Sequence, residues 1–73
     1  MDEIDEIKND MVKDLACLLM EKNATLTMEQ ALDIVFNSDT YQKLLNDKTR
    51  LYYQSARYVF SYLQHELETG KVG

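Results

Sequence analysis

A catalytic or metal-binding protein needs side chains that can donate a lone pair, carry a proton or grip a cation, and this 73-residue chain holds few of them. Cys17 is its single cysteine and His65 its single histidine. Zinc sites draw on sets of Cys and His ligands, so the sequence offers no such set, and one cysteine forms no internal disulfide. Cys17 falls in the apolar run 15–20, where a free cysteine behaves as a small hydrophobe of low reactivity. It is therefore expected to be buried and structural rather than a nucleophile paired with His65. His65 is expected at the edge of the last helix, beside Tyr62. Carboxylates do recur at helical spacing, as Asp2/Glu6, Asp10/Asp14 and Glu29/Asp33. Acid–base work requires a cleft that drives two such pKa values apart, and these pairs fall on polar helix faces. Calcium loops and phosphate-cradling loops both rely on internal glycines, whereas the two glycines here are Gly70 and Gly73. The expectation is a protein with no catalytic residue, no cofactor and no metal.

The elements that hold these side chains read as helices. Proline is absent, and no Asn-Gly or Asp-Gly occurs to turn a tight hairpin. The fold class predicted is all-α: one domain over residues 1–73, with four helices of which the third is short. Ile4, Ile7, Met11, Leu15 and Leu18 recur at three- and four-residue spacing, with Val12, Ala16 and Leu19 beside them, so the first helix runs from Asp2 or Glu3 to Lys22 with a wide apolar stripe. Asn23 is expected to end it in the left-handed conformation. Thr27 to Gln30 has the form of a capping box, opening a helix with Ala31, Leu32, Val35 and Phe36 inward. Ser38 or Asp39 caps the third helix, whose buried side is Tyr41, Leu44 and Leu45. Residues 46–49 are a loop. The last helix starts either near Thr49 or at Ser55; the second choice leaves residues 51–54 extended and lays Leu51 and Tyr52 across the core. Val59, Tyr62, Leu63 and Leu67 then face inward, and Gly70 terminates the helix.

Net charge is −5, and hydrophobic residues make up 45% of the chain, a globular rather than a disordered proportion. The longest near-continuous apolar run is far shorter than the roughly 20 residues of a membrane span, and the acidic N-terminus does not resemble a secretory signal. With its lone cysteine, the chain is expected to be cytoplasmic and free of membranes. Charge is unevenly spread: residues 1–39 carry −7 and residues 40–73 carry +2. At physiological salt such attraction decays over about 8 Å, so it can orient an association without holding it.

Two kinds of binding remain. Residues 27–45 form a helix-turn-helix-like hairpin with the small Ala31 in its first helix, and Lys43, Arg50 and Arg57, with Lys48, interleave with Tyr52, Tyr53 and Tyr58, a mixture that can stack single-stranded bases. Phosphate affinity comes from Lys and Arg, however, and the would-be recognition helix carries Lys43 alone, which makes nucleic acid the weaker alternative. The five tyrosines, four of them between positions 52 and 62, are the stronger signal. A domain this small buries only about 60% of its surface, and tyrosine is favoured in protein interfaces. The favoured reading is a non-enzymatic protein–protein interaction module, a possible homodimer, contacting through Tyr53 and Tyr58 with Met11 and Met20 as adaptable neighbours. A small-molecule site lined by Tyr41, Tyr52 and Tyr62 is a third class.

The segments Asn37-Ser38-Asp39-Thr40-Tyr41-Gln42-Lys43-Leu44-Leu45 and Leu51-Tyr52-Tyr53-Gln54-Ser55-Ala56-Arg57-Tyr58 together resemble a pattern in small uncharacterised all-helical bacterial proteins: Ser-x-Thr-Tyr-x-x-Leu, a polar loop, then Leu-aromatic-x-x-Ser-x-x-Tyr. With the flanking helices the likeness covers most of the chain. It implies a compact helical fold, a bacterial cytoplasmic setting and a helix N-cap at Ser55. It implies no reaction, ligand or catalytic residue, because the family is a domain of unknown function.

Overall fold

The computed structural model describes residues 3–70. Four α-helices follow one another, α1 (Glu3–Lys22), α2 (Met28–Phe36), α3 (Asp39–Leu45) and α4 (Ala56–Thr69), with a single 3-10 turn, Leu51–Tyr53, between the last two. No strand occurs among the described residues. The N-terminal option of Asp2 lies outside them. The radius of gyration, 11.5 Å, matches the value of about 11 Å expected of a chain this long folded as one body.

The N-caps of α2, α3 and α4 are supplied by the residue just before each helix. The Thr27 Oγ accepts from the Gln30 amide at 3.1 Å while the Gln30 side chain accepts from the Thr27 amide at 3.0 Å, a complete capping box. Ser38, not Asp39, caps α3: its hydroxyl accepts from the Tyr41 amide at 3.0 Å and donates to the Val35 carbonyl at 2.6 Å, joining the end of α2 to the start of α3. Ser55 caps α4 through the Tyr58 amide at 3.2 Å, which decides the ambiguous start in its favour. Gly70, at φ 81°, closes α4 in the left-handed conformation.

Two expected backbone details differ. Asn23 is not left-handed, because Arg50 is the one described non-glycine residue with positive φ. Instead the Asn23 side chain accepts from both the amide and hydroxyl of Thr25, an Asx turn that stops α1 without αL backbone. Residues 51–53 are not extended. Arg50, at φ 54°, reverses the chain, and the 3-10 turn that follows still puts Leu51 and Tyr52 into the core while turning Tyr53 outward.

The core forms where α1 lies against α2 on one side and α4 on the other, with α3 and the 3-10 turn closing the remaining side. Leu15, Ala16, Ala31, Val35, Leu44, Val59 and Leu63 are fully enclosed, and Phe60, unassigned from the sequence, joins them. Each buried Leu or Val contributes about 1.5–3 kcal/mol of transfer free energy. Phe36, Leu45 and Leu67, expected inside, are exposed. Phe36 and Leu45 are the last residues of α2 and α3, and Leu67 stands in the last turn of α4; these ends overrun a core too small to cover them. Met11 is corrected the other way. At 6% exposure it is a core residue and leaves the candidate surface. Cys17 is exposed, not buried.

Candidate functional site

The tyrosines of the 3-10 turn and of α4 form two pairs, Tyr52 with Tyr53 and Tyr58 with Tyr62, while Tyr41 of α3 packs on Phe36. Ser55 starts α4 so that Tyr58 and Tyr62, four residues apart, stand one above the other. Their hydroxyls lie 3.0 Å apart, and their rings meet edge to face with centroids 5.4 Å apart. The hydrogen bond to Tyr62 raises the Tyr58 pKa above its ordinary value, the charge of Tyr62 and burial adding to it, so the Tyr58 phenol keeps its proton at neutral pH. Two hydroxyls hold two protons and one is used between them, which leaves a donor pointing elsewhere. Beside this pair a cleft of about 250 Å³ is lined by Lys43, Thr49, Leu51, Gln54, Tyr58 and Tyr62. The Thr49 hydroxyl is engaged with the Lys43 and Asn46 carbonyls and the Leu51 amide. Tyr53, 60% exposed, leans on the buried Tyr52 with centroids 4.5 Å apart.

Other candidates fall elsewhere. Arg57 lines a groove between α1 and α4 with Leu18, Glu21, Phe60 and Gln64, so it does not share the Lys43 cleft, and Arg50 lines neither. The basic residues proposed for nucleic acid are thus not gathered on one cleft. Met20 is half-buried against the core. Of the tyrosines weighed for a small-molecule site, Tyr62 lines the cleft, Tyr52 belongs to the core, and Tyr41 meets Phe36 edge to face at 5.2 Å. Cys17 borders a second, shallow stretch of the α1–α4 groove with Asp14, Glu21 and Arg57, and His65 is absent from that lining. Among the described residues no three His, Cys, Asp or Glu side chains are grouped to hold a metal, and no helix is long and apolar enough to cross a membrane.

Two polar clusters were not foreseen from the sequence. Glu66 of α4 reaches the start of α3, where its carboxylate accepts from the Asp39 amide at 2.7 Å, the Thr40 amide at 2.9 Å and the Thr40 hydroxyl at 2.8 Å. Partial burial pushes the Glu66 pKa up, but these three hydrogen bonds, helped by the charge of Lys43, outweigh it and bring the value below that of an ordinary glutamate. Lys8 of α1 donates to Asp47 at 2.9 Å and to the Leu45 carbonyl at 3.2 Å, and its ammonium lies 5.1 Å from the Tyr52 ring centre. The bond to Asp47 raises the Lys8 pKa; burial opposes it, and the surrounding charges reinforce it. Its side chain is 14% exposed against 72% for Asp47, so the pair rests at the solvent boundary. The chain matches no protein-family model, and neither a curated protein nor a solved structure matches it.

Proposed function

We propose that the protein is a non-enzymatic interaction module that associates with a second copy of itself through the tyrosine-bearing face of the 3-10 turn and α4. The observation that carries this reading is the pair of outward rings, Tyr53 at 60% and Tyr58 at 47% exposure, each braced by a neighbouring tyrosine. Braced aromatics supply contact area with little rotamer freedom left to lose, and Tyr58 lines a polar cleft rather than a deep pocket. Leu45, exposed at the end of α3, adds apolar area on the element that supplies Lys43. The likeness to small bacterial helical proteins agrees with a cytoplasmic module of this kind.

Light scattering and sedimentation of the wild-type chain up to high micromolar concentration test the reading, with Tyr53→Ala and Tyr58→Ala alongside. A concentration-dependent dimer weakened by both substitutions is expected. A monomer throughout, or a dimer indifferent to both, refutes it.

A further inference from the structure

The α3 helix carries a charge arrangement complementary to itself. Asp39 and Lys43 are four residues apart and both exposed, so they lie on one face about 6 Å apart along the axis. Among the described residues the one ion pair within 4 Å is Lys8–Asp47; Asp39 and Lys43 do not pair with each other. Lys43 helps to lower the Glu66 pKa but forms no ion pair within 4 Å with that carboxylate, which accepts from three donors at the start of α3. The Asp39 carboxylate and the Lys43 ammonium are therefore both available to an outside group. Lys43 also lines the cleft that contains Tyr58 and Tyr62, which puts this charge pair at the border of the tyrosine face.

A twofold axis makes residue i of one copy meet residue j of the other, and j meet i. We infer that two copies associate with their α3 helices antiparallel, so that Asp39 of each chain pairs with Lys43 of its partner, flanked by Tyr58. This rests on the proposed self-association and fixes its register and symmetry. Both chains are net negative, and over distances beyond about 8 Å that repulsion is screened at physiological salt. The close reciprocal pairs therefore decide which faces meet, while the rings supply the contact area. Solvent-exposed pairs are individually weak, so the association is a weak one, and two symmetry-related pairs are gained or lost together.

The test is a charge exchange read by sedimentation on the full chain. Lys43→Glu sets Asp39 against an introduced carboxylate in both halves of its homodimer, and Asp39→Lys sets Lys43 against an introduced ammonium. Each alone is expected to dimerise about tenfold more weakly than wild type, the combined effect of two exposed pairs. Mixed in equal amounts, the two variants restore both attractive contacts and recover wild-type association. The retained Asp39 of one chain then meets the retained Lys43 of the other, and the two introduced charges, opposite in sign, meet each other. An effect within one chain gives no recovery on mixing. Circular dichroism monitors folding, and the milder Lys43→Gln and Asp39→Asn stand in if a reversal unfolds α3; each is expected to weaken the dimer by a smaller factor. Variants as dimeric as wild type, or no recovery on mixing folded reversals, overturn the register while Tyr58→Ala still dissociates the dimer. A wild-type chain that stays monomeric instead removes the self-association itself.

Discussion

Removing the Glu66 carboxylate tests the tertiary cap of α3 directly. A helix of seven residues does not persist alone in water, and its first amides must find acceptors. Ser38 takes the Tyr41 amide, and Glu66, supplied from α4, takes those of Asp39 and Thr40 together with the Thr40 hydroxyl. Thr40 is fully enclosed, so its hydroxyl has no water to turn to. Hydrogen bonds to a charged group contribute about 1.5–3 kcal/mol each when fully shielded; the solvent exposure of Glu66 reduces that sum. Glu66→Ala is expected to lose about 2–3 kcal/mol at neutral pH, in line with a lost cap and a lost anion at a helix start. Glu66→Gln keeps one carbonyl acceptor and loses about 1 kcal/mol, or about 4–8 °C in Tm. Acid should erase the difference. Because the folded pKa lies below the unfolded one, the carboxylate contribution is complete above the unfolded value, about 4.3, and disappears as pH falls through the folded value. Thermal unfolding followed by circular dichroism from neutral pH downward should therefore show the gap between wild type and Glu66→Gln shrinking as the pH falls. A carbon-detected NMR titration of Glu66 over the pH range in which the fold persists reads the lowered pKa directly. Equal Tm values at neutral pH, or an ordinary glutamate titration, would refute the reasoning.

Arg50→Gly should stabilise the chain slightly, by about 0.5 kcal/mol, because the left-handed backbone costs an L-residue about 1–2 kcal/mol and glycine returns part of that as unfolded-state entropy; urea unfolding measures it. Cys17 should react with a thiol reagent in the native state at a rate close to that of the urea-unfolded chain, since it stands in an open groove; reaction only after unfolding contradicts this. Leu63→Ala should lose about 2–5 kcal/mol, while Leu67→Ala, one turn on but 50% exposed, should stay within about 0.5 kcal/mol, the two being compared by chemical denaturation.

Local rules carry the sequence reading a long way. The capping box at Thr27, the cap at Ser55 and the terminator at Gly70 each involve residues within a turn of one another, and each stands where its chemistry requires. The resemblance pattern is legible in the same terms: Ser38 and Ser55 are caps, Leu44, Leu51 and Tyr52 are core, and Thr40 is the buried partner of Glu66. What stays hidden is non-local. Glu66 lies 26 residues from Thr40 and reads as any acid on a helix; the usable signal is that so short a helix needs an acceptor from outside. Cys17 shows that a broad apolar stripe need not be buried across its whole width. With α2 on one flank of α1 and α4 on the other, a groove opens between α1 and α4 at Cys17.

The tyrosine face shows why a small domain can keep large rings outside without losing order. Tyr58 and Tyr62 satisfy one another through a hydroxyl–hydroxyl hydrogen bond and an edge-to-face contact, an arrangement that contributes about 0.5–1.5 kcal/mol beyond the area it covers. Tyr53 leans on Tyr52, and the Lys8 ammonium stands near the Tyr52 ring as well. Exposure here does not require a partner for stability. It offers a rigid surface on which a partner freezes few side chains, so association can be weak and still specific. Aromatic area of this kind is indifferent to orientation, whereas charges four residues apart on one helix match only one antiparallel register. In the proposed dimer the rings set how much surface a second copy meets, and Asp39 with Lys43 sets which way round it arrives.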